Sequence, residues 1–327
     1  MRIGTIGTSW ITESFMEAVR QTDTFQLTAV YSRAEEKAKS FAALHNVPGY
    51  FTNIQEMAES GAIDCVYIAS PNALHFEQAV YFLENKKHVI CEKPMFSNVK
   101  EMDLAYKKAK DNNVYLFEAL KNIHTPNFVK LKEALPKIGK VRTMMLHRIK
   151  YSSRYDEVLK GKEPNIFSLD YSGGCLVDLG VYPIAIAVAL FGKPEKVTYT
   201  PVLLPTGADG AGTLVLAYTD FVCTIICSKI TTAHGYSEIQ GEAGTLSINN
   251  IGTLQTVEVV NRAGDRVEVG QVGKADNSMK YEIERFAAIM REKDQQAYRE
   301  LKEISREVLR ITETARRQND MLFGCER

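Results

Sequence analysis

The first 120 residues alternate between two hydrophobic patterns. Short apolar runs (IGTIG, LTAVYS, CVYIAS, HVICE and VYLFEAL) come between segments whose apolar residues recur at helical spacing: TESFMEAVRQ, EEKAKSFAALH, ALHFEQAVYFLENK and KEMDLAYKKAKDNN. The short runs are mainly apolar and do not alternate, as in strands covered on both faces. Strand–helix alternation of this kind predicts an α/β domain with a parallel sheet, helices on both faces and right-handed crossovers.

After about residue 120 the pattern changes. TPNFVKLKEAL reads as one more amphipathic helix. The runs VRTMMLHRI, KVTYTPVLL, GTLVLAYT, FVCTIICSKI, YSEIQGEAGTLSI, TLQTVEVVN and RVEVGQV then follow, broken by Gly, Asp and Asn turns. They predict a mainly antiparallel sheet, and helices close the chain from about 278 to 318. The expected division is an α/β domain over 1–120 and an α+β domain over 121–327. A length of 327 residues, long for one core, agrees with two domains.

Charge and composition remove several function classes. Lys+Arg and Asp+Glu number 40 each, so no excess charge points to nucleic acid, an anionic membrane surface or a polyanion. No apolar run is read as reaching the about 18 residues of a membrane helix, and Arg2 precedes a short strand rather than a signal-peptide core. The six cysteines are scattered, several inside apolar runs, as reduced thiols of a cytoplasmic protein would be. Cys223 and Cys227 have no nearby His pair, so no metal site is expected.

The first strand runs into Gly7-Thr8-Ser9-Trp10-Ile11-Thr12, where a dinucleotide-binding turn would read G-x-G-x-x-G. Gly7 suits the tight turn. Ser9 stands where a glycine lets backbone approach a pyrophosphate, and its hydroxyl is itself a donor. The plainer reading is that Ser9 or Thr12 caps the helix. An NAD site places Asp or Glu at the tip of the second strand. Here the tip reads Tyr31-Ser32-Arg33, and Arg33 with Lys37 one turn later suits a 2′-phosphate. NADP(H) is therefore expected over NAD(H). Ser32 to Glu35 also fits an S-x-x-E capping box, which would fix the turn carrying Arg33.

Three later stretches carry a family resemblance. They are Ser70-Pro71-Asn72-Ala73-Leu74-His75, Cys91-Glu92-Lys93-Pro94, and the run Gly173-Gly174-Cys175-Leu176-Val177-Asp178-Leu179-Gly180-Val181-Tyr182-Pro183. In this order and spacing, with the later Gly241-Glu242-Ala243-Gly244 turn, essentially the whole chain resembles the Gfo/Idh/MocA oxidoreductases. The D-x-G-x-Y form is similar to the branch with glucose–fructose oxidoreductase and dimeric dihydrodiol dehydrogenase. The resemblance implies a Rossmann N-terminal domain and a C-terminal domain on an open, mainly antiparallel sheet. It implies a homodimer or homotetramer formed through that sheet. It also implies that Ser70, Pro71, Asn72 and His75 lie by the cofactor, that Lys93 is catalytic, and that Glu92 and Pro94 shape its loop. Dihydrodiol-dehydrogenase-like members read E-A-x-W-x-R-F-x-P after the last N-domain strand. Here Lys121, Ile123 and His124 replace Trp, Arg and Phe, so the substrate does not carry over, and Lys121 and His124 become candidates for substrate selection.

The reaction expected is hydride transfer between nicotinamide and an alcohol or carbonyl of a sugar, cyclitol or diol. It needs a proton partner at the substrate oxygen. A tyrosine, with a free pKa of about 10, needs a nearby cation to serve near neutrality. Tyr182 is the expected acid/base, Lys93 its electrostatic partner and substrate ligand, and Asp178, four residues before Tyr182, a positioner. The bland readings are a core tyrosine, a solvated lysine and a helix-capping aspartate. Two other functions remain open at this point: a non-catalytic dinucleotide sensor on the same fold, and a structural partner with a dead cofactor site. His45, His88, His147 and His234 carry no motif, and YSSRYDEVLKG reads as a surface or substrate-side loop.

Overall fold

The computed structural model describes residues 1–271 and 277–327, and the last residue of the RVEVGQV run, Val272, lies outside them. The described chain divides into two compact units, 1–119 with 277–303, and 120–276 with 304–327.

The first unit is built on six parallel strands: β1 (Arg2–Ile6), β2 (Gln26–Tyr31), β3 (Gly49–Phe51), β4 (Cys65–Ile68), β5 (His88–Glu92) and β6 (Leu116–Ala119). Their order is β3-β2-β1-β4-β5-β6. The helices are α1 (Trp10–Arg20), α2 (Glu35–Leu44), α3 (Ile54–Glu59), α4 (His75–Glu84) and α5 (Val99–Asp111). All four residues of β4 and of β6 are buried, as strands covered on both faces require, Glu118 of β6 included. The short edge strand β3 and the helix α3 were not anticipated. Three residues carry no readable period, and α3 is declared only by the Asn53 side chain, which accepts from Gln55 N and Glu56 N.

The second unit begins with α6 (Pro126–Ala134), which has Thr125 as N-cap and Pro126 in its first turn. Its sheet contains β7 (Val141–Ile149), β8 (Lys196–Leu203), β9 (Asp209–Ala217), β10 (Val222–Ser228), β11 (Ser237–Gly241), β12 (Gly244–Asn249), β13 (Thr256–Asn261) and β14 (Arg266–Gln271). The order is β14-β13-β12-β11-β7-β10-β9-β8, antiparallel except for β7 beside β10. Between β7 and β8 lie α7 (Tyr155–Val158) and α8 (Val181–Phe191). One sheet face, with Met144, Leu146, Cys223 and Ile225, packs under α6, α8 and the end of α10 (Gln295–Arg317). On the other face Met145, Val222, Ile226 and Val202 are exposed.

The sequence division at 120 misplaces one segment. Residues 277–303, with α9 (Met279–Glu292) and the start of α10, belong to the first unit. One face of the parallel sheet needs an apolar cover, and Ile283, Phe286 and Met290 supply it by packing with Phe15, Tyr67 and Phe117. Phe117 and Phe286 stack with ring centroids 4.5 Å apart, and Leu116 N donates to Tyr298 Oη at 3.2 Å.

Leu169–Phe191 has the length and apolarity of a membrane span, contrary to the expectation that no run would reach it; two-thirds of its most apolar window is buried inside the unit. Every residue from Val181 to Val188 is buried, as in a core helix that is apolar all round.

Candidate active site

In the first unit the expected cofactor residues gather at the C-terminal ends of the parallel strands. Strand order reverses between β1 and β4, the position where open α/β sheets form a ligand crevice. Gly7 follows β1 with φ +106, a conformation that favours glycine, and a Cβ there would stand 2.6 Å from Ala69 O. Thr8 completes the turn. Ser9 is the N-cap of α1, yet its side chain makes no cap hydrogen bond, so the capping reading fails for Ser9. Thr12 is buried with no hydrogen-bond partner for its Oγ1; it packs below Gly7 and does not cap. Trp10 is 73% exposed, while Ile11 packs against the core. An uncapped helix N-terminus, an idle hydroxyl and a turn too tight for a side chain together fit a pyrophosphate.

Arg33 and Lys37 are exposed just past β2. The capping box expected from Ser32 to Glu35 is absent. The N-cap of α2 is Ala34, Ser32 N donates to Phe51 O at 3.2 Å, and Glu35 instead accepts from Tyr50 Oη at 3.4 Å. Strand β3, missing from the sequence reading, is what captures both residues.

Past β4, Ser70 Oγ donates to Gln78 Oε1 at 2.7 Å, and Pro71 and Asn72 lead into a short 3-10 turn. The His75 ring is buried. Its Nε2 lies 2.9 Å from Ser70 O and its Nδ1 3.1 Å from Pro94 O. Burial lowers its pKa, against the pull of its backbone hydrogen bonds. His75 therefore holds the Ser70 and Pro94 loops together from beneath.

The Lys93–Pro94 peptide is cis. Glu92 is buried and accepts from Tyr67 Oη at 2.6 Å and from Lys93 N at 3.2 Å. Burial, then the Glu92 charge, raises the Tyr67 pKa and keeps it a phenol donor. Tyr67 in turn stacks on Phe15 of α1, with centroids 3.6 Å apart. Glu118 Oε1 accepts from Met95 N at 2.9 Å. The loop bearing Lys93 is thus fastened on both sides.

The second unit holds Asp178 and Tyr182. Gly173 and Gly174 have no room for side chains; a Cβ on Gly174 would collide with Asp209. Buried Asp209 accepts from Cys175 N at 2.9 Å, Leu176 N at 2.8 Å and Tyr199 Oη at 2.5 Å. This carboxylate, from β9, caps the helical segment that carries Asp178. Cys175, Asp209 and Cys227 lie together around it, all buried.

Asp178 lies in a π-helical turn, Leu176–Gly180, just before α8. It pairs with Lys229, whose Nζ stands 2.6 Å from Asp178 Oδ2. Tyr182 is nearly buried, with the Arg148 guanidinium 5.8 Å from its ring centroid. Burial lowers the Arg148 pKa, against the pull of Tyr182 and Asp178. Asn122 donates to Tyr182 O at 2.9 Å and to Ile251 O at 3.1 Å, which fixes the turn holding Lys121 and His124. Lys229, Arg148 and Asn122 were missed because no motif position calls for their residue types: Arg148 and Lys229 come from β7 and the end of β10, and Asn122 stands at an unspecified position of the stretch after β6.

Comparison with known proteins agrees over the whole chain. Residues 1–120 match the model of an oxidoreductase family with an NAD-binding Rossmann fold, GFO/IDH/MocA, and residues 128–247 match the C-terminal domain of the same family. The chain is 44% identical over 326 residues to scyllo-inositol 2-dehydrogenase (NADP(+)) IolU of Bacillus subtilis, covering 100% of this chain and 99% of that protein. It is 29% identical to trans-1,2-dihydrobenzene-1,2-diol dehydrogenase of Xenopus laevis, over 79% of both chains. The fold matches KijD10, a 3-ketoreductase from Actinomadura kijaniata, at a TM-score of 0.83 and 20% identity, over 97% and 96% of the two chains. The chain belongs to the Gfo/Idh/MocA oxidoreductase family.

Proposed function

We propose that this protein is an NADP-dependent oxidoreductase that moves a hydride between the nicotinamide and a secondary alcohol or carbonyl of a cyclitol, sugar or diol. The observation that carries this reading is the full-length, 44% identity to an NADP-dependent scyllo-inositol dehydrogenase. Exposed Arg33 and Lys37 past β2, with no acid at the strand tip, support the 2′-phosphate cofactor. Bound NADP(H) supplies the hydride donor or acceptor. Gly7, Ser9 and the N-terminus of α1 hold its pyrophosphate, while Ser70, Pro71 and Asn72 border it.

Tyr182 exchanges the proton of the substrate hydroxyl. Lys93 binds the substrate oxygen, and Asp178 accepts a hydrogen bond from a neighbouring hydroxyl. Lys121 and His124 select among substrates. The open sheet face with Met145, Val222, Ile226 and Val202 serves a homodimer or homotetramer, and the protein works in the cytoplasm, as its buried, unpaired Cys65, Cys91, Cys175, Cys223 and Cys227 suit.

The test is nicotinamide absorbance with purified protein, NADP+ or NAD+, and scyllo-inositol among a panel of cyclitols, sugars and diols. Turnover with NADP+ preferred is expected. NADPH binding without turnover on the whole panel would replace the reading with a dinucleotide sensor.

A further inference from the structure

Lys229 immediately follows β10, and only 2% of its side chain is exposed. Its Nζ lies 2.6 Å from Asp178 Oδ2, 3.5 Å from Ile166 O and 4.9 Å from the Phe167 ring centroid. Its backbone is fastened at both ends: Lys229 N donates to Gly210 O at 2.8 Å, and Ser152 N donates to Lys229 O at 2.9 Å. An ammonium buried this deeply is strongly disfavoured unless it is paired, so it is not a surface charge that drifted inward. Asp178 is unlike its partner, with a side chain 33% exposed. The pair therefore has one buried member and one that faces outward.

The charged and titratable groups around Asp178 are Lys229 after β10, Arg148 on β7 and Tyr182 on α8, with Cys175 near Lys229 on the far side. The Arg148 guanidinium is held by Asn250 Oδ1 and leans over the Tyr182 ring.

We propose that Lys229 is the positioning residue of the active site: it locks the Asp178 carboxylate, ionised and in one orientation, as an obligate hydrogen-bond acceptor for a substrate hydroxyl next to the reacting carbon. This rests on the reading of Asp178 given above. An acceptor held in one orientation by an ion pair makes the enzyme select substrates with a vicinal hydroxyl, so the substrate class is a 1,2-diol unit of a cyclitol or sugar. A substrate lacking that hydroxyl leaves a desolvated carboxylate unmatched.

The test uses full-length Lys229→Met, Lys229→Arg, Asp178→Asn and the double variant Lys229→Met/Asp178→Asn. The readouts are Tm, kcat/KM on a cyclitol or sugar that is turned over and on its vicinal deoxy analogue, and the carbon-13 NMR titration of the Asp178 carboxylate. In Lys229→Met, kcat/KM is expected to fall about 100-fold, and the Asp178 titration to move to higher pH. The preference for the vicinal hydroxyl should collapse, and Lys229→Arg should restore part of it. The double variant should regain Tm without regaining kcat/KM.

Full activity in Lys229→Met, or recovery of both Tm and kcat/KM in the double variant, overturns the proposal. If Lys229→Met does not fold, the double variant carries the test against Asp178→Asn alone: equal kcat/KM in the two is expected, and a value well below that of Asp178→Asn overturns the proposal. Wild-type kcat/KM in Asp178→Asn removes the reading of Asp178 itself. Loss in Asp178→Asn with full activity in Lys229→Met removes the role of Lys229 alone. If no substrate on the panel turns over, an unmoved Asp178 titration in Lys229→Met is sufficient to overturn it.

Discussion

Tyr67 Oη donates to Glu92 Oε1 at 2.6 Å from inside the first unit's core. The contact ties the glycine turn to the lysine loop, because the same Tyr67 ring stacks on Phe15 of α1 while Glu92 accepts from Lys93 N. Tyr67→Phe keeps the stack and removes one donor from a buried carboxylate, a cost of about 1–3 kcal/mol. Thermal melts should show that loss, and kcat/KM should fall by about tenfold as Lys93 loses its fixed position.

The turn after β1 makes a paired prediction. Gly7→Ala forces a Cβ toward Ala69 O at a positive φ, so NADPH affinity should drop by about tenfold or more together with Tm. Ser9→Gly should weaken NADPH with Tm nearly unchanged, because the Ser9 side chain does not cap α1. Protein-fluorescence titration separates the two. Tighter NADPH binding in Ser9→Gly would mean that the hydroxyl crowds the phosphate.

Cofactor choice is read at Arg33 and Lys37. Arg33→Ala/Lys37→Ala should raise the NADPH dissociation constant by about 10- to 100-fold and leave NADH within a factor of about two. Equal losses for both cofactors would move the 2′-phosphate contact elsewhere.

A pH effect follows from Arg2 and Asp64. The Arg2 guanidinium, hydrogen-bonded to the carboxylate through Nε at 3.2 Å and Nη2 at 2.5 Å, holds the Asp64 pKa at about 2, below its ordinary 3.8. A folded-state pKa below the unfolded one stabilises the protein above about pH 4, and the contribution disappears as pH falls from about 4 toward 2. Both side chains are more than a third exposed, so the effect is small. Asp64→Asn should lower Tm by about 1–3 °C at pH 7, and the difference should shrink to nothing in acid melts near pH 2.

Much of the fold is legible in the order of residues alone. Mainly apolar, non-alternating runs located β1, β2, β4, β5 and β6, and turn-broken runs located the second sheet, because burial and tight turns leave local marks. Gly7, Lys93, Asp178 and Tyr182 are candidates because they stand in motifs in which spacing itself carries the information. The Ser32–Glu35 capping box misled, because it is a local pattern that the neighbouring strand β3 overrides.

What the sequence determined by itself is the content of local segments: which runs are strands, where the tight turn falls, and which side chains travel together within a few residues. Backbone propensity and periodic burial act over that range, so they can be read from order alone. Tertiary structure decided the rest. It returned 277–303 to cover the first sheet, placed Asp209 of β9 at the start of the segment carrying Asp178, and brought Lys229 within 2.6 Å of that aspartate across 51 positions of chain. A buried charge can find its partner only once the core that excludes water exists, and no local pattern in the sequence records where that core will close.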